Sequence, residues 1–384
     1  MPDSKARTEP APSAFKDFFD RALVEDMAHH LHRVWPQFDK KSFVAAAVKN
    51  FASLALKQRA DQIAAALAAF LPGDVPRALK VLTASLRPLR GHEPDPNPAS
   101  GVAGWAVWPY GAFVAAQALE HPHEALAALR EITIRSTSEF AIRPFLVRHT
   151  ELTLSTLREW SKDENHHVRR LVSEGTRPRL PWGLRLKAFV KNPAPILPLL
   201  EALRDDPSDY VRRSVANSLN DIAKDHPDLV AAVAMTWLKN ASAERARLVR
   251  HACRTLIKKG HRPALKALGF EPGAKVKLRS FSVSPAKLTF GSALTLKARL
   301  ASTARTAQKI VLDYVVHHRK KNGTSAKVFK WKTLTLGPGE TIDLARKHAI
   351  RRITTRVYYP GMHKIELAAN GRVLGAKNFR LEMS

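Results

Sequence analysis

Residues 165–186, NHHVRRLVSEGTRPRLPWGLRL, read as a helix that stops abruptly and leaves charged and aromatic residues around the stop. From His166 onward, Val168, Leu171 and Val172 fall on one apolar stripe at helical spacing. Arg170 and Glu174, four apart, share a different face. Gly175 reads as the C-terminal stop, and Pro178 and Pro181 forbid quick resumption. Trp182 lands just past the break, beside a carboxylate that a purely structural helix does not need there. Further along, residues 211–230, VRRSVANSLNDIAKDHPDLV, set Arg213, Asn217 and Asp221 at i, i+4 and i+8. In the other direction, residues 131–145, EITIRSTSEFAIRPF, give Arg135, Glu139 and Arg143 the same spacing, which predicts one stripe on one helix. A solvated salt-bridge ladder explains any one of these sets. Three in register, beside Trp182 and two helix-stopping prolines, point instead to the lining of a site.

The three stretches are copies of one unit. SEFA at 138, SEGT at 173 and ANSL at 216 occupy equivalent points, 35 and then 43 residues apart, and RHACRTL at 250 reads as a degenerate fourth copy. A period of that length in paired amphipathic helices is the signature of a HEAT-like solenoid, in which equivalent positions line up along the concave face. The expected fold is therefore mainly α, with a groove lined by the polar stripe. Upstream, residues 15–89 are Ala- and Leu-rich with helical periodicity, and RGHEPDPNPASG at 90–101 is a turn-rich loop. Trp105 and Trp108 read as core or groove wall. Residues 1–14 are polar and Pro-rich and are expected to be disordered.

After Gly269 the period switches to two. Six segments from KVKLRSFSV to MHKIELAANGRVLGAKNFRL, with turns at Asn322-Gly323, Gly337-Pro338-Gly339 and Asn370-Gly371, predict about seven strands. They suggest a small immunoglobulin-like sandwich without a disulfide. The domain plan is thus residues 15–270 helical and 271–384 β.

The chain has 384 residues, 63 Lys and Arg against 34 Asp and Glu, and a net charge of +29. Residues 271–384 hold 23 of those basic residues against 6 acidic ones, so the β-domain is the more basic per residue. A field of that sign favours a polyanionic partner and disfavours a protein scaffold role. One cysteine, Cys253, excludes an intrachain disulfide framework, and no signal peptide or membrane-length apolar run is visible. A cytoplasmic, monomeric protein that binds double-stranded DNA and no membrane is the expectation.

HVRRLVSEGTRPRLPW followed by VRRSVANSLNDIAKDHPDLV resembles the AlkC branch of the alkylpurine DNA glycosylases built from HEAT-like repeats. The resemblance runs from about Phe15 to the C-terminus and includes the appended immunoglobulin-like domain of one AlkC subgroup. It implies monofunctional hydrolysis of the N-glycosidic bond of N3-methyladenine and N3-methylcytosine, without flipping of the nucleotide into a closed pocket. It also implies that Glu139, Glu174 and Asp221 are the site carboxylates, that Trp182 lies against the lesion, and that Arg170 is a basic residue beside the site.

The residues suit that chemistry. An N3-methylated purine is cationic, its glycosidic bond is already weakened, and the transition state is oxocarbenium-like. Carboxylates near the deoxyribose stabilise that charge and orient or deprotonate water. Arginines must sit alongside so that the acids do not repel phosphate, and Arg135, Arg143, Arg170 and Arg213 are placed by spacing to do so. Asn217 and Arg213 either hold Asp221 or touch DNA, and Asp221 itself also admits a capping role. His166 is a phosphate-contact candidate, as are Arg319, Lys320 and Lys321 in the basic β-domain run. The histidines at 29, 30, 32, 166, 167, 317 and 318 pair with no Cys or acid at ligand spacing, so no metal and no cofactor is expected. The alternative is a non-catalytic architectural DNA-binding solenoid; acids inside a basic groove argue against it.

Overall fold

The computed structural model describes residues 15–383, and the disorder expected at 1–14 lies outside them. The chain divides into two compact units, one ending at Asp221 and one beginning at Ile222.

The first unit is built of helices α1 (Arg21–Val34), α2 (Lys40–Ala47), α3 (Leu56–Phe70), α4 (Val75–Ser85), α5 (Val107–Gln117), α6 (Pro122–Arg135), α7 (Arg143–Arg148), α8 (Thr150–Trp160), α9 (His166–Gly175), α10 (Lys187–Lys191), α11 (Leu197–Ala202) and α12 (Asp209–Ile222). A short hairpin, β1 (Leu89–Arg90) with β2 (Glu93–Pro94), interrupts the loop between α4 and α5. Side-chain caps start several helices where an acid or amide precedes them. Asp20 accepts from Leu23 N, Asp39 from Ser42 N and Asp74 from Arg77 N. The apolar stripes then close pairwise, α6 against α9 and α8 against α9 among them.

What repeats most faithfully is a polar joint. Asp163 takes the backbone N–H of Asn165 at 2.8 Å, and Asp206 takes that of Ser208 at 2.8 Å. Each aspartate also receives the arginine of the preceding unit: Arg130 Nε reaches Asp163 at 2.8 Å and Arg169 Nε reaches Asp206 at 2.6 Å. Arg169 in turn donates to the carbonyls of Asp163 and Glu164, as Arg212 does to those of Asp206 and Pro207. An Arg–Asp rung therefore spans two successive junctions, and the first arginine of each VRR, 43 residues apart, makes the same pair of carbonyl contacts. The fold is a HEAT-like helical array.

One local expectation changes and another holds by a different means. Residues 131–145 are not one helix, because α6 ends at Arg135 and α7 begins at Arg143, with the Ser136-Thr137-Ser138 run turning between them. Gly175 does stop α9, as expected, though not through a left-handed backbone. It is the last residue of α9, and a Cβ there would meet Ile142 Cγ2 at 2.7 Å, so it is a close-packing glycine. The helix ends instead where Thr176 Oγ1 donates back to Val172 O at 2.7 Å, two residues before Pro178.

The second unit opens with α13 (Pro227–Trp237), α14 (Ala243–Ala252), α15 (Arg254–Lys258) and α16 (Arg262–Ala267). Eight strands follow: β3 (Val276–Ser284), β4 (Lys287–Thr289), β5 (Ala293–Ser302), β6 (Gln308–Arg319), β7 (Thr324–Leu336), β8 (Thr341–Ala349), β9 (Gly361–Ala369) and β10 (Arg372–Glu382). They form a sheet ordered β4-β10-β9-β6-β7 and a second ordered β3-β5-β8, the sandwich expected from the period of two. The strand beyond the expected seven is β4, three residues long and parallel to β10. Leu294, Leu296, Ile310, Leu312, Ile365 and Leu367 are buried between the sheets. Asn370 and Gly371 both adopt positive φ, 46° and 78°, as the tight hairpin between β9 and β10 requires. Gly371 also meets α15's end: a Cβ on it would lie 2.1 Å from Gly260 Cα. Cys253 is buried, and burial pushes its thiol up to about 12, so it is no nucleophile. Among the described residues no helix is long and apolar enough to cross a membrane.

Candidate active site

In the first unit, the end of α9, the loop after it and the turn between α6 and α7 enclose a cleft of about 1090 Å³. Its walls include Trp105, Trp108, Phe140 and Trp182, and its polar end carries Glu139, Glu174 and Arg177. Trp105 and Trp108 stack with centroids 6.0 Å apart and Trp108 lies 5.6 Å from Phe140, so both tryptophans are wall, as their sequence context suggested.

Arg170 joins the two acids. Its Nη1 donates to Glu139 Oε2 at 3.1 Å and to Thr137 Oγ1 at 3.0 Å, and its Nη2 stands 3.5 Å from Glu174 Oε1. The guanidinium also lies over the Tyr210 ring, 5.2 Å from its centroid. Glu174 is held further: Arg177 Nη1 donates to Oε1 at 2.6 Å, and Ser214 Oγ donates to Oε2 at 2.7 Å while accepting from Ser173. Glu139 has fewer donors. Burial raises its carboxyl above the ordinary value, Arg170 opposes that, and the neighbouring Glu174 adds to it.

Asp221 is buried behind Arg177, whose Nε donates to its Oδ2 at 2.8 Å, and it is absent from the cleft wall. Arg177 thus touches two acids at once. Burial pulls its guanidinium down, but Glu174 and Asp221 outweigh that and leave it above its usual value. Trp182 stands at the lip, 80% exposed, with a positive φ of 63° between Pro181 and Gly183.

The arginines placed by spacing separate. Arg213 is exposed on α12 and Asn217 is half-buried. Arg143 is fully buried, with its nitrogens donating to the carbonyls of Leu184, Gly175 and Arg177 at 2.5, 2.7 and 2.8 Å. It offers no donor to a phosphate from there, which corrects its reading as a DNA contact. Arg135 is likewise spent internally, on Arg87 O at 2.8 Å and on Glu131. Both departures follow from the break after Arg135, which turns the supposed stripe inward. His166 is partly exposed and packs edge-on to Tyr210 at 5.9 Å. Arg319 and Lys321 are exposed and Lys320 half-buried around the β6–β7 hairpin of the second unit.

The absence of an acid near the histidines holds only along the sequence. The β1–β2 hairpin brings Glu93 to 3.7 Å from His166 Nδ1, and ligand atoms of Glu93, His166 and His167 all lie within 4.8 Å of one another. Sequence reasoning also missed Arg177, Tyr210, Ser173 and Ser214. Arg177 had a signal, a base three residues after Glu174 and just past the helix stop; Tyr210 had one as the aromatic that replaces His167 before the second VRR. The serines had none.

Residues 132–256 match the family described as DNA alkylation repair enzyme, and residues 277–383 match the C-terminal Ig-like domain of the uncharacterised protein YhaZ. Over 368 residues the chain is 34% identical to the uncharacterized protein YhaZ of Bacillus subtilis, spanning 95% of this chain and 99% of that one. It superposes with a TM-score of 0.87 and 37% identity on the Pseudomonas fluorescens alkylpurine DNA glycosylase AlkC bound to DNA containing an abasic site analog. That match covers 96% of this chain and 100% of the other. With a HEAT-like array, an immunoglobulin-like sandwich and paired acids in an aromatic cleft, this chain belongs to the AlkC family of alkylpurine DNA glycosylases.

Proposed function

We propose that this protein hydrolyses the N-glycosidic bond of cationic alkylated bases, N3-methyladenine and N3-methylcytosine, in duplex DNA. It acts as a monofunctional, monomeric enzyme of the bacterial cytoplasm and leaves the nucleotide outside any closed pocket. The observation that carries this reading is the pair Glu139 and Glu174 under one guanidinium at the end of an aromatic-walled cleft. Glu174, fixed by Arg177, Arg170 and Ser214, supplies a preorganised negative charge toward the developing oxocarbenium ion. Glu139, whose proton affinity is raised by burial, is the better base for the attacking water. Asp221 acts at one remove by orienting Arg177. Trp182 meets the charged base, where cation–π attraction contributes about 1–2 kcal/mol when desolvated and favours cationic over neutral bases. Exposed Arg213, with Asn217, His166 and the Arg319-Lys320-Lys321 run, grips the backbone.

Purified protein incubated with methylated duplex DNA in EDTA should release N3-methyladenine and N3-methylcytosine, read by chromatography of the free bases. Binding with no base release would instead leave an architectural DNA-binding protein.

A further inference from the structure

Among the described residues, Arg143 has no carboxylate as a hydrogen-bond acceptor. All three nitrogens of its guanidinium donate to backbone carbonyls, and those carbonyls belong to one piece of chain. Gly175 and Arg177 stand where it leaves α9, and Leu184 where it returns. Burial pulls the guanidinium down to about 10, with Arg177 the next contributor, so the charge is kept at a cost. The backbone of the loop it closes is bonded by Arg177 N to Glu174 O at 3.3 Å, Gly183 N to Leu180 O at 3.2 Å and Leu186 N to Pro178 O at 3.3 Å, and at its start the Arg177 side chain reaches Glu174 and Asp221. At its tip Trp182 holds a left-handed backbone that a non-glycine residue adopts only under constraint. Its indole is 80% exposed and, among the described residues, stacks on no other ring.

We propose that Arg143 is a positioning residue whose three-carbonyl clamp on residues 175–184 presets Trp182 to enter the duplex beside the damaged base. A planar fork is what the task needs, because it binds three acceptors in fixed directions where an ammonium cannot. The clamp also fixes Arg177, whose carbonyl it holds and whose side chain reaches Glu174, so one buried arginine sets both the stacking residue and an acid's partner. This inference rests on the reading that Trp182 touches DNA.

The test uses the full chain labelled with 5-fluorotryptophan, the Trp182 line assigned by Trp182→Phe. Spectra are taken free and with a duplex carrying a tetrahydrofuran abasic analogue, so the readout needs no base release and stands apart from the glycosylase reading. Wild type should give one narrow Trp182 line that shifts on binding. Arg143→Lys should broaden or split that line while affinity for undamaged duplex stays within about 2-fold, because few phosphate contacts change. Single-turnover excision should slow by about 30-fold, the scale of a misplaced contact group. Trp182→Ala should then cost little more in the Arg143→Lys background. A narrow Trp182 line in Arg143→Lys, or full additivity of the two substitutions, overturns the proposal. If Arg143→Lys does not fold, wild type decides: a broad or multiple Trp182 line in the free protein means the loop is not held, and overturns it equally.

Discussion

Glu139 and Glu174 lie under the same guanidinium yet are held differently, and the difference sets what each substitution does. Glu174 receives donors on both oxygens, so Glu174→Gln replaces a fixed anion by a neutral amide. Single-turnover excision should fall at least about 100-fold, about 2.7 kcal/mol of transition-state stabilisation. Duplex affinity should stay the same or tighten, since an acid leaves a phosphate-facing groove; equal losses of binding and rate would make Glu174 structural. Glu139 must be ionised to accept a proton from water. Its carboxyl is raised by burial, so the acid limb of the rate should lie above the ordinary glutamate value of about 4.3. Arg170 lowers that carboxyl, so Arg170→Met should move the limb to higher pH. A pH–rate profile in which the limb stays put or moves down removes Glu139 as the base. The sequence made these acids visible because SEFA and SEGT recur 35 residues apart, and Trp182 because it follows the break marked by Pro178 and Pro181. It hid the hydroxyls of Ser173 and Ser214, whose meeting depends on how α9 lies against α12.

At the scale of the element, the rung between repeats is the testable feature. The Asp206 side chain is 3% exposed and takes Arg169 at 2.6 Å, Ser208 N at 2.8 Å and a second Arg169 nitrogen at 3.1 Å. Asp206→Ala would leave a largely buried guanidinium without its counter-charge, a loss of about 3 kcal/mol. For a unit of this size that corresponds to about 6–12 °C in Tm, measurable by calorimetry. A shift under about 2 °C would mean the rung contributes no more than an exposed ion pair. The helices and strands were legible because their periods of 3.6 and 2 are properties of burial itself. The break inside residues 131–145 was not, since i+4 spacing persists across a turn of seven residues and mimics a continuous stripe. Arg135 and Arg143 were misplaced for that single reason.

For the whole molecule, the composition change near Gly269 and the division into compact units at Asp221 fall in different places. Helices α13–α16 belong with the sandwich, locked there where Gly260 and Gly371 approach. Amphipathicity gave no sign of this, because α13–α16 pack on one another and show the same stripe as the helices of the first unit. The basic excess of the second unit is a separate matter of long-range charge. If the run around the β6–β7 hairpin neutralises phosphates, replacing Arg319, Lys320 and Lys321 by Ala should flatten the slope of log K against log salt. The change should be up to about 2.7, or about 0.9 for each phosphate lost. An unchanged slope would place that hairpin away from DNA.

The VRR doublet has an evolutionary consequence. Within it, Arg169 goes to the rung and Arg170 to the acids, and the same two residues return 43 positions later as Arg212 and Arg213. There, Asn217 stands where Glu174 stood. In the preceding unit the rung arginine is Arg130 and the residue after it is Glu131, so the doublet is confined to the two VRR units. By the same alignment the acid pair is one position in two neighbouring copies, Glu139 and Glu174, and the third copy carries an amide there.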